Sequence, residues 1–257
     1  MKNRLALALA FLLAGCAAGP LIDTTYTASG QDSRAQFLVI HFTAESFPSS
    51  LKVLTQGEVS AHYLVRDDPP VIYRLVDENR RAWHAGLSSW KGFTHLNASS
   101  IGIEIVNLGD AALLPDGSYP EYPKAQMDLV VALVKDIVKR HEIRPDHVVG
   151  HGEIAPQRKV DPGPRFPWKR LADEGLIHWP DAAIVAQRLR GFEAQLPDVR
   201  WFQDRLEKHG FAVPTTGELD AATRRVVSAF QMKYRSARFD GTPDAETAAI
   251  LDALVNP

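Results

Sequence analysis

The stretch from Val148 to Gly163, Val-Val-Gly-His-Gly-Glu-Ile-Ala-Pro-Gln-Arg-Lys-Val-Asp-Pro-Gly, constrains this chain more than any other. Pro156, Pro162 and Pro164 forbid a continuous helix, because proline lacks a backbone N–H and clashes with the preceding turn. A short apolar run therefore opens into a turn-rich loop that carries His151, Lys159 and Asp161. Loops leaving strand ends are where a rigid scaffold commonly presents catalytic groups. His151 and Asp161 would supply two of the three protein ligands that a catalytic zinc takes, with a fourth position open to water. A surface loop with a salt-bridged lysine fits the same spacing equally well.

The chain of 257 residues is long enough for one or two domains with a sizeable core. At its start Lys2 and Arg4 precede an apolar run from Leu5 to Ala14, too short to span a bilayer and suited to a signal-peptide core. Leu13-Ala14-Gly15-Cys16 resembles the bacterial lipobox, which makes Cys16, the chain's single cysteine, a lipidation site. The mature chain then has no thiol, so a transition-metal site must draw on histidine and carboxylate. Loss of residues 1–15 removes two cations and leaves 27 basic against 31 acidic side chains, which argues against nucleic-acid binding. By resemblance to the lipoprotein sorting rule, Ala17 after the cysteine favours the outer membrane. Residues 17–35 are small and polar and read as a tether with a reach of roughly 25 Å.

Two strands stand out. Phe37–Thr43 is rich in aromatic and β-branched residues, and alternation puts Val39, His41 and Thr43 on one face. His41 is thus a candidate third ligand, although a lone histidine in an apolar strand is more often a core residue. Ser100–Val106 sets Ile101, Ile103 and Ile105 on one face and Gly102, Glu104 and Val106 on the other. A glutamate among isoleucines is rarely buried without a partner. It reads either as a carboxylate beside a metal's water or as an exposed or ion-paired residue. Residues 61–65 and 71–76 read as paired strands, Pro123–His141 as an amphipathic helix, and His147–Gly150 as a short strand delivering His151. The expected fold is α/β, a mixed central sheet flanked by helices, with a small three-helix domain at the C-terminus.

That domain starts near residue 198, after a connecting stretch over 176–197. Val199, Phe202 and Leu206 keep helical spacing up to Gly210. A small repeat follows, Gly217-x-x-Asp220-Ala-x-Thr223 and Gly241-x-x-Asp244-Ala-x-Thr247, in which each aspartate is a natural N-cap. With no catalytic constellation, these residues read as a binding module.

His41, Glu104 within Ser-Ile-Gly-Ile-Glu, and His151-x7-Lys159-x-Asp161-Pro-Gly together resemble the type 2 N-acetylmuramoyl-L-alanine amidases, which share the peptidoglycan recognition protein fold. The resemblance spans roughly Gln36 to Asp173, within an amidase domain taken as 36–175, and the last 60 residues resemble the three-helix peptidoglycan-binding domain. It implies one zinc held by His41, His151 and Asp161, Glu104 as general base, and Lys159 stabilising the oxyanion. It further implies cleavage of the amide between N-acetylmuramic acid and L-alanine, with anhydro-muropeptides within reach. Trp83 and His84 fall where the family lines its substrate groove, although core and turn roles suit them equally. Asn97, which flanks the Glu104 strand, reads as a substrate contact or an ordinary turn residue. Asn107 likewise reads as a substrate contact or an ordinary turn residue. With the lipobox, the chain resembles the outer-membrane lipoprotein branch of these enzymes. Two other readings compete: a receptor that binds peptidoglycan without cleaving it, and a zinc peptidase that cuts within the stem peptide.

Overall fold

The computed structural model describes residues 19–257, so the signal segment and the lipidation site read at Cys16 lie outside the described residues. The chain divides into two units, the second running from Ser33 to Pro257. Residues 19–32, in the first unit, carry no helix or strand. No helix among the described residues is long and apolar enough to cross a membrane.

The second unit begins with β1 (Phe37–Phe42), α1 (Phe47–Gln56), and the strands β2 (Tyr63–Val65) and β3 (Ile72–Arg74). A two-residue hairpin follows, β4 (Ser89–Trp90) with β5 (Phe93–Thr94), then β6 (Ser100–Ile105), α2 (Lys124–His141) and β7 (Val148–Gly150). The sheet runs β3-β2-β6-β1-β7, with β3 antiparallel and the other pairs parallel. It is the expected mixed sheet. The separate β4–β5 hairpin was not foreseen from the sequence, because two-residue strands are too short to show alternation.

Alternation decides what each face of the sheet meets. Leu38, Ile40, Ile101, Ile103 and Ile105 join Met127, Val130, Val134 and Ile137 of α2 in one cluster. The opposite face contributes Phe37, Val39 and Val149 to a second cluster that runs on into the C-terminal helices. Those helices are α6 (Val199–His209), α7 (Ala221–Tyr234) and α8 (Ala245–Val255), preceded by the short α3 (His151–Ile154) and α4 (Trp168–Asp173) and by α5 (Ala182–Ala194). The second cluster holds Phe202, Leu206, Val226, Phe230 and Leu251 beside Val39, Trp90 and Ile154. The small domain is thereby a cover for the sheet's second face.

Helix α5 occupies the stretch that reads as a connector. Asp181 caps it by accepting from the Ala183 and Ile184 N–H groups, and Arg188 pairs with Asp252 of α8 at 2.8 Å. Its weak amphipathic pattern, with no fully buried residue, explains why the sequence gives little sign of it.

The repeat has a physical basis. Asp220 and Asp244 cap α7 and α8 through the Thr223 and Thr247 N–H groups. A fully buried glutamine from the preceding helix pins each copy: Gln203 Nε2 donates to Thr223 Oγ1 at 2.9 Å while its Oε1 accepts from Gly217 N at 2.7 Å. Gln231 repeats this with Thr247 at 3.0 Å and Gly241 at 3.0 Å. Each glutamine thus ties a turn glycine to the helix that follows. Gln231→Leu is expected to lower unfolding stability by about 2 kcal/mol by leaving the buried Gly241 N–H without a partner, while the Thr247 hydroxyl keeps Asp244 as its acceptor. Chemical denaturation measures this.

Ser33 and Arg34 lead into β1 by strapping onto the sheet's neighbours. Ser33 Oγ meets His141 at 2.6 Å, and Arg34 donates to the Ala98 carbonyl at 3.2 Å. Beside them His62 is fully buried, accepts from Gly102 N at 3.0 Å through Nδ1, and faces the Arg80 carbonyl at 3.1 Å with Nε2. Burial pushes its pKa from 6.5 down to about 4, against the Arg80 hydrogen bond. The unfolded chain therefore binds more protons between these values, and stability rises with pH there. His62's contribution is whole above pH 6.5 and is lost as pH falls toward 4. The denaturation midpoint is expected to drop over that window, and less steeply in His62→Gln.

Candidate active site

One register builds the centre of the site. β1 lies between β6 and β7, with His41 opposite Glu104 and Ile40 opposite Gly150, so His151 emerges beside the end of β1. The chain after β7 is not simply a loop as the prolines suggest. His151 opens the single turn α3, which ends before Pro156. One turn is too short to show helical periodicity, and the proline rule holds just beyond it. Gly152 N donates to the Asp161 carbonyl at 2.7 Å, which folds the Lys159–Asp161 segment back across α3. Gly150 permits that approach, since a Cβ there would sit 2.7 Å from Pro162 Cδ.

His41, His151 and Asp161 converge, all three buried. His41 Nδ1 lies 3.0 Å from His151 Nδ1 and 3.0 Å from Asp161 Oδ2, and His151 Nδ1 lies 3.1 Å from the same oxygen. The surrounding network places the ring protons. Ser100 Oγ donates to the Leu96 carbonyl at 2.6 Å, which leaves it to accept from His84 Nε2 at 3.1 Å. His84 Nδ1 then accepts from His41 Nε2 at 3.0 Å. His151 Nε2 similarly donates to the Ala85 carbonyl at 3.2 Å. Both histidines therefore aim an Nδ1 lone pair at the Asp161 carboxylate.

For His41, electrostatics agree with that protonation. Burial and the nearby His151 push His41 from 6.5 to about 4, against the pull of Asp161. Burial opposes ionisation of Asp161, but His151 and His41, whenever either carries a proton on the nitrogen that faces it, outweigh burial and hold its carboxyl well below the usual range. Two neutral imidazoles and one carboxylate are the form in which such a set can hold a metal. Their separations approach the roughly 3.4 Å between vertices of a tetrahedron with bonds of about 2.1 Å. Three unprotonated donors facing one another suit a shared cation, so the residues fit zinc.

Glu104 stands at the edge of this cluster, with Oε1 at 3.9 Å from His41 Nδ1 and Oε2 buried without a hydrogen-bond partner. Burial, then repulsion from Asp161, push its pKa well above the ordinary value, with Lys159 partly offsetting them. Lys159 is exposed and shares the lining of a cavity of about 330 Å³ with Glu104, the three convergent residues and Trp83.

The candidate substrate contacts part company. Trp83 is half exposed on the cavity wall. His84 also borders the cavity, yet both its nitrogens are engaged, with His41 and Ser100. Asn97 does not line the cavity; its Oδ1 accepts from the His84 and Ala85 N–H groups at 3.0 and 2.7 Å and fixes the segment that carries Trp83. Asn107 takes a turn role, accepting from Gly109 N at 2.8 Å. Ser100 and Arg158 escaped the sequence reading. Arg158 lines the cavity and donates to the Ala85 and Leu87 carbonyls at 2.6 and 2.8 Å, joining the Lys159 segment to the Trp83 segment. Gly102 was the available signal, since a glycine inside a strand marks a close approach. A Cβ there would lie 2.5 Å from the His84 ring.

Two imidazoles and a carboxylate converging beside an unpartnered buried glutamate suit a metal-dependent hydrolase, and comparison with known proteins gives the family. The N-acetylmuramoyl-L-alanine amidase family pattern matches residues 31–164, and a peptidoglycan binding domain pattern matches residues 195–251. The chain is 43% identical over 263 residues to the N-acetylmuramoyl-L-alanine amidase AmiD of Escherichia coli K12, covering 96% of this chain and 95% of that protein. The crystal structure of AmpDh3 from Pseudomonas aeruginosa in complex with anhydromuramic pentapeptide superposes with a TM-score of 0.83 at 41% identity, covering 91% of this chain and 97% of that one. The complex of E. coli AmiD with anhydro-N-acetylmuramic acid-L-Ala-D-γ-Glu-L-Lys gives 0.80 at 41% identity, over 91% and 93%. The chain belongs to the N-acetylmuramoyl-L-alanine amidase family, hydrolases that cleave the amide between N-acetylmuramic acid and the L-alanine of the peptidoglycan stem.

Gly102→Ala is expected to displace His84, tilt His41, and lower hydrolysis of the muramoyl–L-alanine amide about 10- to 100-fold, the range found when support behind a site histidine is disturbed. Steady-state rates beside circular dichroism of the folded variant check this.

Proposed function

We propose that this enzyme works with one zinc ion held by His41, His151 and Asp161. The observation that carries the reading is the convergence of two Nδ1 lone pairs and one carboxylate oxygen at 3.0–3.1 Å. Zinc bound there supplies polarisation of the amide carbonyl and acidification of a water toward pKa of about 7. Glu104 is the general base. Burial raises its affinity for a proton, and its unpartnered Oε2 is free to take one from the attacking water and return it to the departing L-alanine amine. Lys159, on the cavity wall, offsets the negative charge that grows on the carbonyl oxygen. Trp83 offers an apolar surface to the substrate, and the Asn97 and His84 contacts hold that surface in place.

Anhydro-muropeptides belong to the substrate range, as the ligands of the AmpDh3 and AmiD complexes suggest for close relatives. The domain layout we propose is a signal segment over 1–16 ending in lipidated Cys16, a tether that begins at residue 17 and gives way at Ser33 to the folded unit, and an amidase domain that continues to residue 175. A connector over 176–197 and a wall-binding domain over 198–257 complete it. The lipobox and Ala17 support anchoring on the periplasmic face of the outer membrane, where peptidoglycan lies within the tether's reach.

Product analysis on purified peptidoglycan tests the reaction. Zinc-loaded enzyme is expected to release intact stem peptides that begin with L-alanine. Glu104→Gln is expected to slow release by about 10²- to 10⁴-fold, and chelation to abolish it. Shortened stems would indicate a peptidase, and wall binding with no released peptide would indicate a receptor.

A further inference from the structure

The junction between the two folded parts holds a buried ion pair that the reaction does not use. Lys233, near the end of α7, places Nζ 3.1 and 3.0 Å from the two carboxylate oxygens of Glu153 in α3. The residues are 6% and 3% exposed. Nζ also donates to the Val148 carbonyl at 3.3 Å and lies 4.3 Å above the Trp168 ring. Glu153 Oε2 in turn accepts from Gly150 N at 2.7 Å, closing the N-terminus of α3 around His151. Gly150 and Val148 belong to β7, whose register on β1 brings His151 to His41.

We infer that Lys233 is a positioning residue for the metal centre, so that the C-terminal domain sets the enzyme's affinity for zinc. The inference rests on His151 being a zinc ligand. Lys233 neutralises and orients Glu153, Glu153 holds the Gly150 N–H, and that bond fixes the turn from which His151 projects. Without the lysine, a buried carboxylate beside β7 must either turn toward water or drag α3 with it. Either movement shifts His151 relative to His41 and Asp161. The same turn donates Gly152 N to the Asp161 carbonyl, so two of the three donors move together.

Zinc affinity of the full-length chain, measured by chelator competition, is the test. Lys233→Met is expected to bind zinc at least about 10-fold more weakly than wild type, the range for lost support behind a metal ligand. A double variant, Glu153→Gln with Lys233→Met, keeps an acceptor for Gly150 N without a charge and is expected to regain most of the affinity. A second double variant, Glu153→Leu with Lys233→Met, leaves no buried charge and folds even where the single variant does not. It lacks the acceptor and is expected to stay weak. Wild-type affinity in Lys233→Met or in the second double variant, with only a lowered Tm, would reduce the pair to a domain fastener and overturn the inference. A wild-type chain that binds no zinc would instead remove the metal reading on which the inference stands.

Discussion

The site depends on the parallel register of one buried strand. β1 is hydrogen-bonded on both sides, and its neighbours fix His41 opposite Glu104 and Ile40 opposite Gly150. A slip of one residue would turn every side chain of β1 to the other face of the sheet. His41 would then point into the cluster of Leu38 and Ile40, and the lone pairs that meet His151 and Asp161 would be lost. The register is held because both faces are covered, by α2 on one side and by α3 with the C-terminal helices on the other. Burial of the apolar residues of β1 therefore enforces the geometry of its one polar residue.

Within that frame, hydrogen bonds settle chemistry that packing cannot. Leu96, Ser100, His84 and His41 form a chain in which each donor points away from the point where His41, His151 and Asp161 meet. The direction starts from a backbone carbonyl, which can only accept. His84 thus has a part in the site although both its nitrogens are engaged. Gly102 is the space in β6 that lets its ring pass. The Ile-Gly-Ile-Glu segment accordingly serves two ends, with isoleucines for one face and room plus a carboxylate for the other.

The sequence disclosed most of what depends on local pattern. Alternation in β1 and β6, helical spacing in α2, and aspartate caps on α7 and α8 all appear where periodicity and end signals place them. Residues 33–35, read with the tether, instead begin the folded unit, and Ala35 is fully buried. The remainder was hidden for identifiable reasons. Helix α3 is a single turn, α5 has no buried stripe, and Asn97 makes contacts through an amide that no spacing reveals. Lys233 follows Met232 on α7, and no local pattern marks it, because its partner lies 80 residues earlier in the chain.

That lysine bears on what the last helices are for. A peptidoglycan-binding module needs only an exposed surface and a connector, and neither requires a buried charge at the join. A buried ion pair is also a poor source of stability, since desolvating two charges offsets most of their attraction, and apolar residues of similar size often do as well. What the pair supplies is direction: it is satisfied in one arrangement of α7 against α3 and in few others. Apolar contacts around Phe202, Phe230 and Val39 give the junction its area and tolerate small sliding. The Lys233–Glu153 contact does not tolerate it, and it falls two residues from His151 rather than elsewhere on that large surface. Placement of a buried ion pair beside the turn that carries His151 indicates that the domain arrangement and the site geometry are maintained together.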